Sequence, residues 1–213
     1  MEEEIGIKLS FRVEFGEDPG QPAAFVTAFS GKISVWGLEE GGGEFTEVGS
    51  MTVCVADLAG GREAGYVPGE LFDDRTSTAC FTELLIGCWA TGGGAVWRPR
   101  LRRLLQVGPV SGRILLIDRV EINESYRGRN LGHSAINAAI KHLGFGCDFV
   151  ALKPFPLQFE AGHPVRQRWE ASEDLEGLRR AEKAATRQLE LHYGRIGFKK
   201  LAGTSLMVRG VKK

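Results

Sequence analysis

The 213-residue sequence has no charge excess: lysine plus arginine and aspartate plus glutamate number 27 each. A general nucleic-acid or anionic-membrane surface needs a surplus of positive charge, so neither partner is expected. Cysteine is sparse. Cys54, Cys80, Cys88 and Cys147 form no C-x-x-C and do not cluster with the four histidines, which argues against a metal site. Their apolar flanks (TVCVA, TACFT) read as reduced, buried thiols, so a cytoplasmic location is expected. No stretch approaches the ~20 apolar residues of a membrane helix, and the acidic start MEEEIGIKLS lacks a signal-peptide core. G-x-x-x-x-G-K-S/T, G-x-G-x-x-G and G-x-S-x-G are all missing, which removes the common nucleotide sites and the serine-hydrolase elbow.

What is present suits one large domain, 43% hydrophobic and 25% charged, with no internal repeat. A chain of this length buries roughly 70% of its unfolded surface without staples. The most informative stretch runs from Ile114 to Gly144. Ile114 to Ile117 read as a strand buried on both faces, and alternation begins at Asp118. Leu131, Ala135, Ile136, Ala139, Ile140 and Leu143 fall on one helical stripe. Between them, Tyr126-Arg127-Gly128-Arg129-Asn130 is a short basic turn. A strand feeding a helix through such a turn aims unpaired N–H groups and the positive helix end at one point, a geometry that binds phosphate.

Arg127 to Gly132 (RGRNLG) resembles the cofactor turn of the GNAT superfamily of acyl-CoA N-acyltransferases, Arg/Gln-x-x-Gly-x-Gly/Ala. Arg127 and Gly132 match its ends, and Asn130 replaces the middle glycine. Asparagine tolerates the left-handed backbone best among residues with a side chain. A second match follows in the family's order: Tyr193, Gly197 and Phe198 fit its closing Tyr-x-x-x-Gly-Phe.

The resemblance implies an α+β fold: a mixed, mostly antiparallel central sheet with helices on both faces, and a V-shaped splay between two central parallel strands. The residues are compatible. KLSFRVEF alternates, with Leu9, Phe11, Val13 and Phe15 on one face. AAFVTAF and KISVWGL read as strands separated by a Ser30-Gly31 turn, and EVGSMTVCVADL as another beyond the EEGGGE loop. Ser77 or Thr78 caps an expected helix over ACFTELLIGC, and Arg98 to Arg103 reads as a solvated helix face or a phosphate contact. FVAL reads as a strand parallel to ILLID, ended by Pro154 and Pro156. Ser172 is the expected cap of a long helix whose stripe is Leu178, Ala181, Ala185, Leu189 and His192. Segments 61–110 and 159–172 read as insertions within the single domain 1–213, the second irregular, each either part of an acceptor wall or plain surface.

By resemblance the activity is transfer of an acetyl group from acetyl-CoA directly to an amine on a small molecule or protein. The alternative is a non-catalytic acyl-CoA-binding module, and homodimerisation stays open. The implied cofactor residues are Arg127, Gly128, Arg129, Asn130, Leu131, Gly132 and His133 at the diphosphate. Val120 and Ile122 would pair with pantetheine through their backbone. Tyr193 is the candidate acid, since a phenol near pKa 10 suits a departing thiolate; otherwise it closes a helix against the sheet. Asp118 is the candidate base. It shares strand parity with Ile114, Leu116, Val120 and Ile122 and so interrupts an apolar face. Equally, it could be tied to an arginine such as Arg119 or one of Arg98 to Arg103.

Overall fold

The computed structural model describes residues 6–14, 18, 20–36, 44–73, 79–84, 99–105, 112–172 and 174–211. It is an α+β protein whose strands are β1 (Gly6–Glu14), β2 (Val26–Trp36), β3 (Phe45–Asp57), β4 (Arg113–Ile122), β5 (Phe149–Leu152), β6 (Lys199–Lys200) and β7 (Met207–Gly210). The helices are α1 (Leu58–Glu63), α2 (Pro68–Asp73), α3 (Pro99–Leu105), α4 (Leu131–Leu143), α5 (Pro164–Ala171) and α6 (Leu175–Gly194). The strands form one seven-stranded sheet in the order β1-β2-β3-β4-β5-β7-β6. Its one parallel pairing among the described residues is β4 with β5, joined through α4.

The sheet separates two apolar layers. Leu58, Leu71, Phe72, Phe81 and Leu101 cover one face, over Ala56, Ile114, Leu116 and Ala151. On the other, Leu131, Ala135, Ile136, Ala139 and Ile140 of α4 lie over Met51, Val53, Leu115, Ile117 and Val150. Ile114 to Ile117 are at most 3% exposed, the signature of a strand covered on both sides. The stripe read from the sequence is therefore the buried face of α4. In α3, Leu101 is buried while Arg100 and Arg103 are exposed, the amphipathic face expected of that segment.

Several expectations need correction. Ser30-Gly31 is no turn: β2 runs through it unbroken. A Cβ on Gly31 would lie 2.5 Å from the Ser10 carbonyl oxygen and 2.6 Å from the Phe11 ring, so the glycine serves close approach of β1. Val13 is 39% exposed, so the apolar face of β1 is covered at Leu9 and Phe11 and opens toward its end. The segment 159–172 is not irregular: it contains α5, with Pro164 in the first turn and His163 Nδ1 accepting from the Val165 N–H at 3.1 Å. Ser172 ends α5, and the cap of α6 is Asp174, whose carboxylate accepts from the Gly177 N–H at 2.8 Å. Residues 79–84 form a 3-10 turn, while Ser77, Thr78, Arg98 and most of EEGGGE lie outside the described residues.

Candidate functional site

The site grows out of the way β4 ends. β3 follows β4 as far as the Gly49–Ile122 pairing. On the other side, β5 pairs only with Ile114 to Ile117, because β5 stops at Leu152 and Pro154 and Pro156 follow. Proline has no N–H to give a ladder and cannot continue a central strand. From Asp118 to Ile122, β4 thus has no strand partner on the β5 side among the described residues.

A β-bulge lies where that open edge begins. Thr52 pairs with Arg119 and Val53 with Ile117, leaving Asp118 as the extra residue of β4. The bulge also reverses the strand's parity. Ile114 and Leu116 pack into one layer, whereas Val120 and Ile122 join Leu115 and Ile117 in the other. The expectation that Asp118 shares a face with all four is therefore wrong. Asp118 sits where alternation breaks, and has an interaction of its own within the fold.

At this corner a cavity of about 440 Å³ opens. β4 contributes Ile117, Asp118, Arg119 and Val120; the β5 end and the chain after it contribute Leu152, Lys153, Phe155, Leu157, Glu160 and Ala161. Cys80, Phe81 and Tyr193 close it. The volume falls in the usual range for small-molecule sites. Tyr193 comes from the last turn of α6, and its hydroxyl meets no hydrogen-bonding partner among the described residues. Burial pushes its phenol above the ordinary value of 10, so it is a neutral proton donor across the physiological range. Arg119 is held by Glu160, its Nη2 donating to both carboxylate oxygens at 2.5 Å, and Glu121 lies 3.9 Å from Nη1. Arg119 therefore spans from β4 to the segment before α5.

At the other end of the open edge is the turn into α4. Gly128 has φ +79° and Asn130 φ 57°, both left-handed; Asn130 is the sole non-glycine residue in that region among those described. The asparagine expected to tolerate this backbone does adopt it. The Arg127 N–H donates to the Glu124 carbonyl, and the Ser134 N–H to that of Asn130. Between them, the N–H groups from Gly128 to His133 meet no acceptor among the described residues. Such a run at a helix start is an anion-binding concavity.

Several side chains around this turn have contacts within the fold. Arg127 Nε donates to the Ile122 carbonyl at 3.0 Å, tying the turn to the end of β4. Arg129 lies 5.9 Å over the Tyr126 ring. Leu131 is buried under the sheet, and the hydrogen side of Gly132 faces Ile122 and Val120 at ordinary contact distance. His133 is buried and stacks on His192 of α6.

Tyr193, Asp118 and Val120 are thus brought to one cavity, while Ile122 and residues 127–133 lie at the far end of the same strand edge. Phe81 and Glu160 lie in the two segments expected to be acceptor wall or plain surface, though neither residue was singled out, and Lys153 and Leu157 were missed as lining. Pro164 in a run of good helix formers was an available signal for α5, which follows Glu160 in the chain. No family model, curated protein or solved structure matches the chain. No helix among the described residues is long and apolar enough to cross a membrane, and no group of metal-ligating side chains gathers among them.

Proposed function

We propose that the chain is a GNAT-like N-acyltransferase that moves an acetyl group from acetyl-CoA directly to an amine. One observation carries this reading: the unpartnered edge of β4, from Asp118 to Ile122, joins a cavity at one end to a set of unpaired N–H groups at the other. An extended molecule with amides along its length and a diphosphate at one end fits that layout.

The residues present suit such a guest. N–H groups from Gly128 to His133 would receive the diphosphate, with the α4 dipole adding to their pull. Backbone groups of Val120 and the N–H of Ile122, whose carbonyl already accepts from Arg127 Nε, would pair with the pantetheine amides as a strand would. Bound acetyl-CoA would supply an activated thioester carbonyl. A backbone N–H of the open edge aimed at that oxygen contributes about 3 kcal/mol of barrier lowering. Asp118 would take one proton from the acceptor ammonium, and the freed amine would attack the thioester carbon; as the C–S bond breaks, Tyr193 Oη would give its proton to the departing sulfur and the amide nitrogen would lose its second proton back to the phenolate.

Calorimetric titration of CoA into the wild type and Gly132→Glu tests this. The added carboxylate would sit among the anion-binding N–H groups, while the first side-chain carbon meets only ordinary contacts with Ile122 and Val120. Affinity is expected to fall about 100-fold or more with the fold retained by circular dichroism, a loss of the size charge-assisted contacts supply. Unchanged affinity would refute the turn as the diphosphate site. Binding of acetyl-CoA without CoA release across a broad amine panel would leave a non-catalytic acyl-CoA-binding module.

A further inference from the structure

The cavity's charged lining is Asp118, Arg119, Lys153 and Glu160, two of each sign. They are not equally available. Arg119 and Glu160 satisfy one another through the two 2.5 Å hydrogen bonds, whereas Asp118 lines the cavity while keeping an interaction of its own within the fold. Lys153 is exposed and pairs with no carboxylate among the described residues; its Nζ lies 5.6 Å from the Phe155 ring centroid. Once the internal pair is set aside, the cation left to a ligand among the described residues is Lys153.

Its placement is fixed by the chain. Lys153 follows the last residue of β5, and the Phe155 N–H donates to the Lys153 carbonyl at 2.8 Å across Pro154, a three-residue turn locked by the proline ring. The stem of Lys153 therefore starts from a stiff corner on the wall opposite β4. Around it the lining is apolar: Phe81, Ile117, Val120, Leu152, Phe155 and Leu157.

We propose that the amine entering this cavity is an amino acid with an apolar side chain, its carboxylate read by Lys153. The proposal rests on the acyltransferase reading for the fate of the amine, and on the cavity alone for the carboxylate. The ammonium end lies toward Asp118, the side chain against the phenylalanine and leucine walls, and the carboxylate on the Lys153 ammonium. A polyamine is disfavoured, because a second positive charge would meet Lys153 with Glu160 already held by Arg119.

The test compares phenylalanine and leucine with phenethylamine and isoamylamine, which keep the amine and apolar body but lack the carboxylate. Each is titrated calorimetrically into CoA-saturated wild type and Lys153→Met. The wild type is expected to bind the amino acids about tenfold tighter than the amines, as one charge-assisted contact provides, and Lys153→Met to erase the difference. CoA affinity is expected to be the same in both proteins. Equal or tighter binding of the amines, no binding of either class, or a preference that survives in Lys153→Met would overturn the proposal. If CoA itself fails to bind, the acyltransferase reading falls. The same titrations without CoA then decide Lys153 on their own.

Discussion

The imidazole of His133, in the first turn of α4, stacks on that of His192 near the end of α6, with ring centroids 3.7 Å apart and planes inclined by 29°. The pair joins the helix that starts at the Gly128–Asn130 turn to the helix that carries Tyr193. His133 Nε2 is buried without a hydrogen-bond partner. Burial, with the nearby Arg195 guanidinium, holds both rings below the ordinary 6.5; for His192, His133 itself adds to the effect.

This arrangement makes folding sensitive to acid. Between the lowered folded values and 6.5, the unfolded chain binds more protons than the folded one. Stability is therefore full above 6.5 and falls as pH drops through that window. Urea midpoints are expected to decline from about pH 7.5 to about pH 5, and His192→Phe, which keeps a stacked ring without a titrating group, to make that decline shallower. An identical slope in the variant would remove the pair as the cause.

The left-handed backbone at Asn130 gives a stability prediction independent of any ligand. Asn130→Val forces a branched side chain into φ 57° and should cost about 1–2 kcal/mol in urea denaturation. Asn130→Gly should cost nothing measurable or stabilise slightly.

Tyr193→Phe is expected to keep the thermal midpoint of the wild type, because the hydroxyl it removes has no partner among the described residues. With an acceptor in hand, turnover should drop roughly 100-fold while acetyl-CoA affinity holds, the size of a general-acid contribution. Since burial raises the phenol above 10, no loss of activity from its ionisation is expected below that pH. Unchanged turnover would make Tyr193 a packing residue only.

Gly49 supports the open edge from behind. A Cβ there would lie 2.1 Å from the Glu121 carbonyl oxygen, a main-chain atom with little room to retreat. Gly49→Ala should cost about 1–3 kcal/mol in urea denaturation. It should also weaken CoA binding by displacing β4 near Ile122. A neutral substitution would show that β3 and β4 can slide apart without consequence.

The sequence made some of this legible because its signals are local. The apolar run at Ile114, the basic turn and the stripe from Leu131 to Leu143 each declare their element within a few residues, and Pro154 and Pro156 announce where β5 must stop. Other features depend on chain that is distant. Gly31 looked like a turn because its reason is the Ser10 carbonyl of a neighbouring strand. The bulge at Asp118 has no local code, so parity read from alternation placed Val120 and Ile122 on the wrong layer. Lys153 and Glu160 are brought to Asp118 only by sheet order and by the path of the segment before α5.

The unzipped stretch of β4 also carries a hazard. A seam left open in mid-sheet can accept an extended chain along it, and the prolines after β5 keep β5 itself from filling it. Short β-forming peptides are therefore natural rivals for the groove. A high concentration of such segments, including those of a partly unfolded neighbour, would occupy that edge through main-chain hydrogen bonds.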